Sequence, residues 1–256
     1  MPTGTVSFRV YARLNDFVSA DRRARRFVHI LNGRSSVKDA IEALGVPHPE
    51  VDLILVNGTP VGFTYPVQDG DVVAVYPTFQ SIDLGDLQRV GAAVPEPIRF
   101  VVDVHLRKLA SLLRLTGFDA IVLENDVQIA DAAASDARVV LTRDRQLLKR
   151  NAIGHGYWIR NTDPQAQFTE LVQQFDLACR ARPFTRCLCC NGLLQSVSKE
   201  AVAAGLPPRT RDVFDEFHRC CGCYRIYWRG SHYQRLSRLL PRLLGIVDSL
   251  HETGPN

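Results

Sequence analysis

Two sets of side chains in this sequence have types and spacings that can do chemistry. The first is sulfur. All seven cysteines, Cys179, Cys187, Cys189, Cys190, Cys220, Cys221 and Cys223, fall within residues 179–223. An odd number in so tight a cluster argues against a disulfide framework and for metal. "TRCLCCNGLL" and "FHRCCGCYRIYW" each hold a CxxC, Cys187 with Cys190 and Cys220 with Cys223, separated by 29 residues. Two such knuckles place four thiolates tetrahedrally around Zn²⁺, with Asn191, Gly192 and Gly222 permitting the tight turns. Cys189 and Cys221 offer alternative registers, and Cys179 reads as a small buried apolar residue. A closed four-thiolate site leaves no position for water, so its role is structural.

The second set is carboxylate. Asp103 ends one apolar run, Glu124 and Asp126 follow another, and Asp144 follows "VVLT". Three carboxylates that converge repel one another unless a cation lies between them. Mg²⁺ or Mn²⁺ is the natural occupant, because these hard ions take oxygen ligands and keep waters. Such a site suits phosphodiester hydrolysis. Taken singly, each Asp also reads as a helix N-cap; three at equivalent strand ends strengthen the catalytic reading. Arg143 and Arg145 flank Asp144 where they can hold a phosphate, and as cations at a helix start they oppose the helix dipole. Lys108, shortly after Asp103, is a further phosphate-binding candidate, and His105 opens a helix.

These residues need elements to position them. From Ile98 on, strands and helices alternate: "IRFVVDV", then "HLRKLASLLRLTG" with apolar residues on one helical face and Gly117 at its end, then "FDAIVL", "DVQIADAAAS", "ARVVLT", "RQLLKRNA", "GYWIR" and "DPQAQFTELVQQFDL". Alternation of this kind predicts a mostly parallel sheet covered by helices. In such sheets the loops at the carboxyl ends of the strands share one crevice, and the acids fall on those loops.

The preceding segment is of another kind. "TVSFRVYA" and "RRFVHIL" read as strands, and Ser36 with Asp39 forms a capping-box pattern opening a short helix that Gly45 ends. "VDLILVNGTPV", with an Asn57-Gly58 hairpin signal, and "DGDVVAVYP" follow. Strands, a helix and further strands in about 80 residues follow the order of a β-grasp fold, and "LVNGTPV…DGDVVAVYP" resembles the ubiquitin-like and sulfur-carrier group. Carrier chemistry needs a free C-terminal Gly-Gly, whereas this strand runs on into "TFQSIDLGDLQRVGAAVPEP". The expected organisation is a β-grasp domain at 1–80, a linker at 81–97, an α/β domain at 98–180, and a zinc ribbon with a C-terminal helix at 181–256.

"FVVDVHLRKLASLLRLTGFDA", "VVLTRDRQLLKR" and "HGYWIR" resemble the PIN-like ribonuclease family called the Mut-seven C-terminal RNase domain. Its members often carry a ubiquitin-like domain before the nuclease and a zinc ribbon after it. The resemblance spans 98–240. It implies a PIN-like, metal-dependent ribonuclease with Asp103, Asp126 and Asp144 on the acidic positions, and it selects Cys187, Cys190, Cys220 and Cys223 as the zinc set. Arg107 stands where the family usually reads Gly, and Val127 and Gln128 stand where acids are common, which makes Asp131 the alternative second acid.

Composition agrees with a folded protein, 46% hydrophobic and 23% charged, and no window approaches the ~20 apolar residues of a membrane span. The N-terminus has no signal-peptide pattern, so the expected location is the cytoplasm. Net charge is +4, but residues 181–256 carry 11 Lys/Arg against 6 Asp/Glu. That excess, with aromatics and cations interleaved around Tyr227, Trp228, Arg229, His232 and Tyr233, makes RNA the expected partner and Arg229 and His232 candidate contacts. The same aromatics can instead cover the small zinc core. The alternative function is a non-catalytic RNA-binding or adaptor protein whose acidic site has decayed at its second position.

Overall fold

The computed structural model describes residues 3–78 and 89–245. The chain divides into two compact units, Met1–Asp103 with Leu123–Ile159, and Val104–Val122 with Arg160–Asn256. Residues 81–88 of the expected linker lie outside the described residues.

In the first unit, a mixed five-stranded sheet is built from β1 (Thr3–Val10), β2 (Phe27–Asn32), β3 (Leu53–Val56), β4 (Thr59–Pro60) and β5 (Val72–Tyr76), with helix α1 (Val37–Ala43) between β2 and β3. The order is β2-β1-β5-β3-β4, with β1 and β5 parallel, which is the ubiquitin-like β-grasp. The local signals act as their chemistry requires. Ser36 and Asp39 form the reciprocal capping box that starts α1. Asn57 and Gly58 take φ of +51° and +83°, the two left-handed residues that turn β3 back into β4. Alternate residues Val6, Phe8 and Val10 of β1 meet Val37, Ala40 and Ile41 of α1 in one core.

The same unit holds the parallel ladder of β6 (Arg99–Asp103), β8 (Val139–Thr142) and β9 (Gly156–Trp158). All four residues of β8 are buried, as a central strand covered on both faces demands. Helix α3 (Asp126–Ser135) packs Ile129, Ala130 and Ala133 inward, and the short α4 (Arg145–Leu148) buries Leu147 and Leu148. Side-chain contacts tie this ladder and its loops to the β-grasp segment. Glu50, almost fully buried, accepts from the Trp158 amide at 2.7 Å and from Arg13 Nε at 3.1 Å. Lys149 Nζ donates to the Glu42 carbonyl, and Lys38 Nζ to Asn151.

The second unit contains α2 (Arg107–Leu115), β7 (Asp119–Leu123, whose last residue belongs to the first unit) and α5 (Pro164–Phe175). It continues with β10 (Leu194–Val197), α6 (Pro208–Val213), β11 (Phe217–Cys220), β12 (Ile226–Trp228) and α7 (Ser231–Leu243). Leu109, Ala110 and Leu113 of α2 are buried where that helix packs on α5, which contributes Phe168 and Leu171. Strands β10, β11 and β12 form an antiparallel three-stranded sheet, the zinc-ribbon-like part, over a small core of Val202, Leu206 and Phe217. No helix among the described residues is long and apolar enough to cross a membrane.

Candidate functional site

Asp103 is the last residue of β6, and Thr142 the last of β8. The parallel register pairs Val102 with Leu141, so the two residues that follow stand side by side. Thr142 is fully buried, and its hydroxyl donates to Asp103 Oδ2 at 2.8 Å while accepting from the Asp144 amide at 2.9 Å. One buried hydroxyl thus fixes one acid directly and the backbone of another. Sequence reasoning passed over Thr142; the signal was a hydroxyl closing an otherwise apolar buried strand.

The other acids have varied local duties. Asp144 is the N-cap of α4, its Oδ1 accepting from the Gln146 amide at 2.7 Å, and its side chain is exposed. Asn125, not Asp126, caps α3, accepting from the amides of Val127 and Gln128. Asp126 is thereby relieved of capping, and its carboxylate lies 3.5 Å from Arg150, each side chain nearly half exposed. Asp131 is exposed and sits about 140° round α3 from Asp126 at the helical pitch. Among the described residues, the carboxylates of Asp103, Asp126 and Asp144 do not form a group with oxygens all within 4.8 Å.

The two arginines flanking Asp144 differ. Arg143 is exposed, its carbonyl accepting from Trp158 Nε1 at 3.1 Å. Arg145 turns to the β-grasp side: its guanidinium lies 4.1 Å from the Trp158 ring centre and 5.1 Å from that of Phe17, and it donates to the Asp16 carbonyl at 3.2 Å. Stacking and hydrogen bonding together hold the start of α4 against the β-grasp segment 12–17. Lys108 is exposed on α2, in the second unit.

The four cysteines do converge. Cys187, Cys190, Cys220 and Cys223 bring their sulfurs within 4.8 Å of one another, with Cys187 and Cys223 3.6 Å apart and Cys190 and Cys220 3.3 Å apart. Metal–sulfur bonds of about 2.3 Å in a tetrahedron place sulfurs about 3.8 Å apart, so the cluster fits such an ion. Its electrostatics also call for a cation. Burial opposes ionisation of Cys187, but the Tyr227 hydroxyl at 3.0 Å and the amides of Cys190 and Cys189 bring its thiol down to about 6. For Cys223, a backbone hydrogen bond works downward, yet burial and the neighbouring thiols push it up to about 12. Four thiolates cannot coexist there without a positive charge among them.

The knuckle turns are not where the glycines suggested. The left-handed residues are Asn191 (φ +73°) and Tyr224 (φ +58°), each immediately after a CxxC. Gly192 and Gly222 serve by being small: a Cβ on Gly192 would stand 2.8 Å from Cys220 Sγ, and one on Gly222 3.4 Å from Cys190 Sγ. Cys189 and Cys221 are exposed and outside the cluster. Cys179 is also exposed, contrary to expectation, because its thiol leaves the core to meet Asp176.

The first knuckle is braced to α2 and β7 by groups that no motif announced. Buried Arg114 donates to the carbonyls of Ala120, Leu188 and Cys189 at 2.8, 3.1 and 2.9 Å. Asn191 accepts from the Ala120 amide at 3.0 Å and donates to Asp119 at 2.9 Å, and Arg186 lies 3.4 Å from the same carboxylate.

Around the ribbon, Trp228 packs against the core of Val202, Leu206 and Phe217. Arg229 and His232 are exposed, and Arg229 pairs with Glu216 at 3.3 Å.

Two family models match the chain in order. The model described as Mut7-C ubiquitin covers residues 3–83, and that described as Mut7-C RNAse domain covers 98–240. No curated protein and no solved structure matches it significantly.

Proposed function

Since the chain belongs to the Mut7-C RNase family, by a match to more than half its length, we propose that it is a divalent-metal-dependent, PIN-like ribonuclease acting on RNA in the cytoplasm. The observation that carries this reading is the pairing of Asp103 and Asp144 through Thr142 at the carboxyl ends of adjacent parallel strands. That is where an open parallel sheet gathers its functional groups.

The donor set suits Mg²⁺ or Mn²⁺, because every candidate ligand is a carboxylate oxygen. Asp103 and Asp144 are the primary ligands, with Asp126 the third; Asp131 faces away on the same helix. A divalent cation bound there supplies charge neutralisation for the phosphodiester and acidity for an attacking water. The chain's own residues do the positioning. Thr142 keeps Asp103 and the backbone of Asp144 in one register. Asp144 uses one oxygen for its cap, and the residue is exposed. Arg143 is the phosphate-holding cation, while Arg145 supports the loop from behind. The Asp126–Arg150 pair is exposed and worth about 0–1 kcal/mol, so it does not bar Asp126 from a ligand role.

Zn²⁺ is the ion for the four cysteines, a closed thiolate set with a structural role.

Purified protein given Mg²⁺ or Mn²⁺ cleaves single-stranded or structured RNA, and Asp144→Asn abolishes cleavage. Cleavage that survives this change removes the proposed site. A second reading rests on the oxygens of the Asp103, Asp126 and Asp144 carboxylates not all lying within 4.8 Å of one another: a non-catalytic RNA-binding adaptor. It predicts salt-dependent binding with no cleavage under any divalent ion.

A further inference from the structure

A cavity of about 780 Å³ opens on the second unit beside the cysteine cluster, lined from Pro183–Leu194, β11, β12 and the first turns of α7. Its size falls within the about 300–1,000 Å³ of ordinary ligand sites, which admits a nucleotide and excludes a folded partner. Phe184, Tyr227, Trp228 and Tyr233 are among its lining residues. Phe184 and Tyr233 lie with ring centres 4.3 Å apart. Arg225, Arg229 and His232 stand on the lining as well, and no aspartate or glutamate is among the lining residues.

From this juxtaposition of closely packed aromatic rings and exposed arginines, we infer that the cavity is a nucleotide subsite, taking one unstacked base of single-stranded RNA with its phosphate against Arg225 and Arg229. The inference rests on RNA being the substrate and deepens that reading. An apolar walled cavity with aromatic faces accepts any base by stacking, and arginines at its edge neutralise the backbone. The cations are available: Arg225 is exposed, and Arg229 shares an ion pair with Glu216 in which both side chains are more than 60% exposed, so a phosphate displaces that carboxylate at little cost. Phe184 adds an independent sign. Its backbone sits at φ +61°, a conformation rare for bulky residues, and its N–H donates a hydrogen bond to the Leu115 carbonyl at 3.0 Å. Strain of this kind gathers at binding sites, and here it presents a ring to the cavity. The wall shared with the metal cluster, through Cys189 and Tyr227, makes the subsite dependent on the ribbon being folded.

The test uses the full-length, zinc-loaded protein carrying Asp144→Asn, so that RNA is held and not cut. A labelled single-stranded hexaribonucleotide is titrated in Mg²⁺-free buffer, and a hexamer containing 4-thiouridine is photocrosslinked and mapped by mass spectrometry. Adding Tyr233→Ala weakens binding by roughly 5- to 150-fold, the range expected for losing one stacked base. Tyr233→Phe restores it, zinc content staying at one per chain in both. Arg225→Ala with Arg229→Ala weakens binding and lowers its salt dependence. Crosslinks fall on Phe184, Trp228 or Tyr233. Unchanged affinity in Tyr233→Ala, or crosslinks confined to other segments, overturns the subsite while leaving RNA cleavage by the Asp144-containing protein untouched. If the unsubstituted protein cleaves no RNA and the hexamer does not bind, both readings fall; binding with cleavage absent favours the adaptor and keeps the subsite.

Discussion

Replacing Thr142 with Val tests the proposed centre without touching a carboxylate. The side chain is fully buried and Val has nearly its shape, so the packing of β8 survives and only the hydroxyl is lost. That hydroxyl makes two bonds, to Asp103 Oδ2 and from the Asp144 amide. A hydrogen bond to a charged group contributes about 1.5–3 kcal/mol, and the exposed Asp144 loop recovers part of the second bond from water. The net loss of stability is then about 2–3 kcal/mol, or roughly 4–12 °C in melting temperature for a chain of this size. If the Asp103 bond is what holds the acid in its working position, the same 1.5–3 kcal/mol appears in the barrier, and kcat/KM falls about 10- to 150-fold. RNA affinity in Mg²⁺-free buffer stays within twofold, because neither base nor phosphate touches Thr142. Thr142→Ser keeps the hydroxyl and recovers most of the activity. The decisive measurement is single-turnover cleavage at saturating Mn²⁺ for the three proteins, with melting curves alongside. A Thr142→Val protein as active as the parent would show that Asp103 and Asp144 do not work as a hydroxyl-linked pair.

Other perturbations follow from the same geometry. Asn191→Ala strands the buried Ala120 amide and frees Asp119, costing about 1–3 kcal/mol, seen as a lower urea midpoint. Gly117→Ala places a Cβ 2.1 Å from the Arg182 carbonyl at φ +95°, so it should yield little folded protein, whereas Gly154→Ala, with nothing within 4 Å, leaves expression and melting unchanged. Arg145→Ala removes two ring contacts and one hydrogen bond, lowering stability by about 1–3 kcal/mol and speeding proteolysis between residues 12 and 17. Burial lowers the pKa of His155 below 6.5, so the unfolded chain binds the proton more readily just below that value. Stability is therefore fully present above pH 6.5 and declines as pH falls below it; His155→Gln, followed by urea unfolding at pH 7.5 and 5.5, should reduce the difference.

The parts of the fold legible in the sequence were those fixed by local chemistry. The Ser36–Asp39 box, the Asn57-Gly58 turn and the apolar run of β8 each act through residues close in the chain, and each forms the element its pattern predicts. The CxxC spacing likewise confines two thiols to one knuckle, and the structure brings the four expected cysteines together. Long-range polar pairings were not legible. Thr142 with Asp103 spans 39 residues, and Asn191 with Asp119 spans 72; no periodicity encodes such partners. Arg145 shows the same limit. Its place beside Asp144 pointed to a phosphate, but Phe17 and Trp158, far away in sequence, supply the aromatic faces that claim it.

The brace around Arg114 gives the cysteine cluster a wider consequence than stabilising a small ribbon. Arg114 is buried, and burial disfavours its charged form, while the cysteines beside it and Asp119 favour it. Three carbonyls take its hydrogen bonds, two of them from the knuckle residues Leu188 and Cys189. If the metal proposed for these cysteines is removed, the knuckle loses its geometry, and the guanidinium loses those acceptors in a place poorly reached by water, a cost of about 1–3 kcal/mol beyond the loss of the ribbon itself. Disorder then propagates from the cysteines into α2 and β7, both of which Arg114 and Asn191 join to the knuckle. Amide exchange resolves this: stripping the metal with a thiol-specific mercurial, then reducing, should raise exchange at Leu113–Ala120 as well as at Cys187–Trp228. Faster exchange at 187–228 alone, with 113–120 protected as before, would confine the metal's role to the ribbon.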